Sequence, residues 1–144
     1  MRKKILLFVS VASFACCSHP KQETRFVTPE QYKANSVRIA SDNRKVLQQL
    51  SQYGVTGSSD LNLNIYFVTD DSVKAQSLAN DLQPINFHAN RIHRSPKDPT
   101  LWVLSGSADE VKMDSISLNQ WINKLVAVAY QHDCEMEGWN PVGE

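Results

Sequence analysis

Three adjacent residues near the C-terminus, His132, Asp133 and Cys134, carry the side chains of thiol chemistry: an imidazole, a carboxylate and a nucleophile. Their adjacency works against that reading. They fall where a helix gives way to a strand, and consecutive side chains there diverge. Zinc needs ligands spaced so that they converge. His132 at a helix C-terminus suits the helix dipole, and Cys134 reads as a small buried hydrophobe. A thiol enzyme built on Cys134 and His132 stands as an alternative, and it requires an accessible sulfur. His88 and His93 share one strand at an odd separation, so a regular strand points them to opposite faces. Asp70 and Asp71 have the carboxylates for acid–base work, but their place before an apolar helical stripe makes them helix caps. No G-x-S-x-G elbow, P-loop or G-x-G-x-x-G occurs. No catalytic residue, metal ligand or cofactor site is expected, and no small-molecule substrate.

Charge narrows the partners. Fifteen Lys and Arg balance fifteen Asp and Glu, so no net field favours nucleic acid or an anionic membrane surface. An aromatic RNA platform on a sheet wants basic neighbours, and Arg91 and Lys97 are too few. The expected partner is a protein.

The N-terminus carries a different signal. "MRKK" is a basic start and "ILLFVSVASFA" an uncharged apolar run. That run is shorter than the roughly 20 residues needed to span a bilayer, and it suits a secretory signal. Ser13-Phe14-Ala15 puts small residues at −3 and −1 before Cys16, as in a bacterial lipobox, with Cys17 as the alternative attachment point. The expectation is a lipoprotein-type signal over 1–15, a polar tether over 16–27 and one domain over 28–144. The product faces the periplasm from a membrane of the cell envelope. Cys134 is then the single cysteine of the domain, so no disulfide framework exists there.

The elements come from periodicity and caps. Thr28-Pro29-Glu30-Gln31 is a capping box with proline at the first helical position. Ile39, Asn43, Val46, Leu50 and Tyr53 form a stripe, with a break expected near Asn35-Ser36 and a stop at Gly54. Leu61, Leu63, Ile65 and Phe67 alternate with Asn62, Asn64, Tyr66 and Val68, which predicts a strand. A helix follows with Ala75, Leu78, Ala79 and Leu82 inward, and Pro84 ends it. Ile85, Phe87 and Ala89 start a second strand running to about His93, then "RSPKDP" makes a loop. "TLWVLSG" reads as a central strand and "ADEVKMD" as a polar connection. Ser117 is expected to cap a last helix with Leu118, Trp121, Ile122, Leu125, Val128 and Ala129 on its stripe. "CEMEGW" closes as a strand, with Glu135 and Glu137 outward. The fold class is α+β: a leading helix, then a ferredoxin-like β-α-β-β-α-β sandwich with an antiparallel sheet and helices on one face. The leading helix or a partner is expected to cover the other face, where Tyr66, Val68 and Trp102 or its neighbours lie.

This layout resembles the RraB family, regulators of ribonuclease E. "TGSSDLNLNIYFV" is similar to the family's passage from first helix to first strand. "LNQWINKLVAVAYQHDCEMEGWN" is similar to its last helix and closing strand, where an acidic residue, Gly and Trp stand together; here they are Glu137, Gly138 and Trp139. The resemblance covers roughly residues 36–140. It implies inhibition by docking on a protein, without catalysis or cofactor. Gly138 is expected to turn the backbone at φ > 0 so that Trp139 folds back on the core. An exported RraB-like binding module is therefore the main reading. A cytoplasmic ribonuclease E inhibitor acting on RNA decay is the alternative.

Overall fold

The computed structural model describes residues 24–143; the expected signal segment and the candidate lipid-attachment residues Cys16 and Cys17 lie outside them. Helix α1 (Pro29–Ser51) starts at Thr28, whose side chain accepts from the Gln31 amide while the Gln31 side chain accepts from the Thr28 amide. It is followed by β1 (Asp60–Thr69), α2 (Ser72–Leu82), β2 (His88–Arg94), β3 (Trp102–Lys112), α3 (Ser115–Gln131) and β4 (Glu135–Pro141). The sheet order is β2-β3-β1-β4 with every neighbour antiparallel. That is the expected ferredoxin-like arrangement.

The expected core alternation is present. Leu63, Ile65 and Phe67 of β1 are buried, as are Ala75, Leu78, Ala79 and Leu82 of α2. Leu118, Ile122, Leu125, Val126 and Ala129 supply the α3 face. Opposed residues in antiparallel strands share a face, so Leu104 and Gly106, opposite Phe67 and Ile65, belong to the helix side. Gly106 is needed there: a Cβ would come within 2.6 Å of the His88 carbonyl oxygen and closer still to the Phe87 ring.

Several expectations are corrected. α1 does not break at Asn35-Ser36. Ser36 bonds the Tyr32 carbonyl within the helix, and Asn35 is buried, accepting from Arg38 at 2.6 Å. Tyr53 leaves the stripe and is 79% exposed, because the helix ends at Ser51 and Gly54 turns with φ 85. α3 starts two residues before Ser117, capped by Asp114, whose carboxylate accepts from the Ser117 amide. "ADEVK" continues β3 rather than leaving the sheet. Asp109 and Glu110 form a bulge against Asn62, with Glu110 at φ 50 and its amide donated to the Asn62 side chain. The extra residue returns Val111 to the core, opposite Leu61.

α1 does not cover the second sheet face. It packs beside α3 and over β4, on the side of the other two helices. A polar chain centred on the buried Asn43 helps fix it: Trp139 Nε1 donates to Asn43 Oδ1 at 2.7 Å, and Asn43 Nδ2 donates to Asn119 Oδ1 at 2.8 Å. Arg38 Nη2 donates to the Met136 carbonyl on the β4 edge at 3.0 Å.

Candidate protein-binding surface

The register sets what the uncovered face presents. Three rows cross it: His93-Val103-Val68-Glu135, Arg91-Ser105-Tyr66-Gly138 and His88-Ser107-Asn64-Asn140. Its middle is apolar, with Val103 8% exposed and Tyr66 and Val68 half-buried. Its β2 side is basic and its β4 side acidic. Lys97, in the loop after β2, reaches Glu137 at 3.5 Å. Trp102, opposite Thr69, falls on the helix side instead, under the Arg94 guanidinium at 4.1 Å. Burial raises the pKa of Glu135, opposed by Arg38 and reinforced by Glu137.

Two bulges place these residues. Asn90 is an extra residue between Ala89 and Arg91, so His88 and His93 share the open face rather than pointing apart. His88 stands 3.7 Å from Asp109. Glu137 is the extra residue in β4, between Met136 opposite Phe67 and Gly138 opposite Tyr66. Without it Trp139 would point to the open face. With it, Trp139 stands opposite Ile65, on the helix side, and reaches Asn43. Gly138 therefore does not act through a positive φ, which is confined to Gly54 and Gly143 among the described glycines. A Cβ at Gly138 would meet nothing within 4 Å. No sequence signal marks a bulge at an Asn or Glu, so these rows were not legible beforehand.

His132, Asp133 and Cys134 diverge, as their adjacency requires. His132 Nε2 lies 2.7 Å from Asp81 Oδ2. Cys134 is 2% exposed, and burial pushes its thiol up to about 12. An inaccessible, protonated sulfur is no nucleophile. Asp133, at φ 57, has a different partner set. Its carboxylate accepts from the Phe26 and Val27 amides at 2.9 and 2.8 Å and from Lys74 Nζ at 2.7 Å, with Arg25 Nε at 3.5 Å. Burial alone would raise its pKa. The Lys74 ammonium and the two amides outweigh that and hold it at about 2. Burial likewise depresses Lys74, but Asp133 and Asp70 leave it raised overall. Arg25 bonds the Tyr130 carbonyl and lies over the Tyr130 ring, which stacks on Tyr32. Residues 25–27, assigned to the tether by sequence, are thus docked, with Val27 2% exposed. Thr24, Arg25, Asp71, Val73, Lys74, Ser77, Gln131, His132 and Asp133 line a recess there, in which Asp133 pairs with Lys74 and Arg25 while Asp71 accepts from the Val73 amide. Among the described residues, no group of three His, Cys, Asp or Glu side chains gathers as a metal site.

A β2-β3-β1-β4 antiparallel sheet with its helices on one side, extended by a capped leading helix, is an α+β module of ferredoxin-like topology with one bare sheet face. Family comparison goes further: the chain belongs to the RraB family, Regulator of ribonuclease activity B, whose model matches residues 40–140. No curated protein matches it. The match runs from within α1 to β4. It includes Lys74, Tyr130, Asp133 and the Glu137-Gly138-Trp139 run, and it excludes the docked residues 25–27.

Proposed function

We propose that this chain is an RraB-type binding module, regulating a protein partner by docking, exported and held at a membrane by lipid on Cys16, or on Cys17. The observation that carries the docking part is the bare sheet face. All three helices, the leading one included, pack on the other side, so Tyr66 and Val68 stay half-buried, beside a buried Val103, on a face that no described residue covers except at the Lys97 loop. Membership of a family named for regulation of a ribonuclease supports regulation over catalysis. The basic start, apolar run and Ser13-Phe14-Ala15-Cys16 junction support export and acylation. From Cys16 to the docked Arg25 the chain reaches at most about 30 Å, so the module works close to the bilayer.

A C-terminally tagged chain is fractionated beside Cys16→Ser and Cys17→Ser variants after feeding a labelled fatty acid. Membrane-bound, labelled wild type and an unlabelled Cys16→Ser variant are expected. A soluble, unlabelled cytoplasmic product overturns the anchored reading. It makes ribonuclease E the partner to test, as the family resemblance implies.

A further inference from the structure

The two edges of the sheet differ. At β4 the helix α1 stands over the edge and Arg38 takes the Met136 carbonyl. At β2 no strand follows, and among the described residues no backbone group of another element bonds it beyond β3 and its own hairpin. An unpaired strand edge is a template for another strand. Charge selects what joins it. The strand reads "HANRIHR": two arginines, two histidines and no acid. Arg91 is exposed and has no carboxylate within 4 Å among the described residues. A second copy pairing β2 against β2 would set these cations against each other, and like charges opposed across strands are destabilising. Beside the edge runs a groove of about 290 Å³ between β2 and α2, lined by Gln76, Ala79, Asn80, Gln83, Phe87 and Ala89, together with His88. Its α2 wall carries no charge. The bulge at Asn90 limits new pairing to Arg91–Arg94, which begin two residues beyond Ala89 at the end of that groove.

We propose that the outer edge of β2 receives an extended acidic segment of a partner protein as a fifth strand, pairing along Arg91–Arg94 and seating one small apolar side chain in the groove against α2. This deepens the docking-module reading and rests on it. Backbone bonds supply the attachment, and the basic strand selects acidic over basic sequences.

The probes are a six-residue peptide alternating Glu and Val, its Lys–Val counterpart, and the Glu–Val peptide N-methylated at alternate amides, titrated by fluorescence anisotropy into the full chain. Amide exchange locates the site. The acidic peptide is expected to bind and to protect β2 amides. Its affinity should fall at least about tenfold for Arg91→Glu, stay within about threefold for Arg91→Lys, and weaken with salt. The Lys–Val and N-methylated peptides should not bind. Equal binding of either control, protection at β4 or on the open face, or no binding at millimolar peptide overturns the proposal. In cells, a photo-crosslinking residue is placed at Asn90 or at Tyr66. Product at Asn90 that Arg91→Glu abolishes supports the β2 edge. Product at Tyr66 alone overturns the edge and leaves the docking module standing. No product at either position overturns both.

Discussion

Asp133 accepts two backbone amides and a lysine through one carboxylate, at a backbone angle that Asp and Asn tolerate better than most residues. Its pKa, lowered to about 2, ties stability to pH. A depressed carboxylate contributes stability that is fully present above its unfolded value near 4 and is lost as pH falls through about 2. The shift corresponds to about 2 kcal/mol. Asp133→Asn keeps the backbone angle and should cost about that much in urea unfolding at pH 7, with the difference from wild type closing between pH 4 and pH 2. A difference that stays constant to pH 2 would show the carboxylate to be uncoupled from folding. Cys134 predicts the opposite of a reactive thiol: labelling by a maleimide should be slow in the native protein and fast in denaturant. Fast native labelling would reopen the enzyme reading. Residue types named both positions in advance. The partners of Asp133, more than 50 residues away in sequence, could not be named.

Among the elements, two glycines that look alike in sequence have opposite roles. Gly106, in the middle of β3, lies under the Phe87 ring, so Gly106→Ala should overpack the β2–β3–α2 corner and cost about 1–3 kcal/mol. Gly138, in the family's Glu-Gly-Trp run, lies in open space without a positive φ, so Gly138→Ala should change stability by less than about 0.5 kcal/mol. Thermal unfolding of the two variants checks both. A large loss at Gly138 would mean that the Glu137 bulge needs a glycine after all. Helix and strand identities were readable because apolar spacing of 3.6 or 2 follows from backbone geometry. The bulges at Asn90, Glu110 and Glu137 were not, since each is set by pairing with a distant strand. They decide which face His93, Val111 and Trp139 occupy.

For the whole molecule, the domain begins earlier than its first helix. Removing residues 1–27 strips Val27 from the core and leaves Asp133 without its two amides. That should lower the unfolding free energy by about 2–4 kcal/mol relative to removing residues 1–23. Equal stability of the two truncated chains would return residues 24–27 to the tether. By itself the sequence determined the α+β class, the element order, the capping box at Thr28, most of the core and the family resemblance. All of these rest on local spacing or short motifs. Only the tertiary structure decided where α1 packs, which sheet face stays bare, which edge is free and what Asp133 holds. The apolar stripe of α1 suits either face of the sheet. It is held on the helix side by Ile39 and Leu50 in the core together with long-range polar contacts, Trp139 to Asn43 and Arg38 to Met136, that join residues about a hundred positions apart. Nothing local in the chain encodes such pairings, because they exist only once the strands are in register.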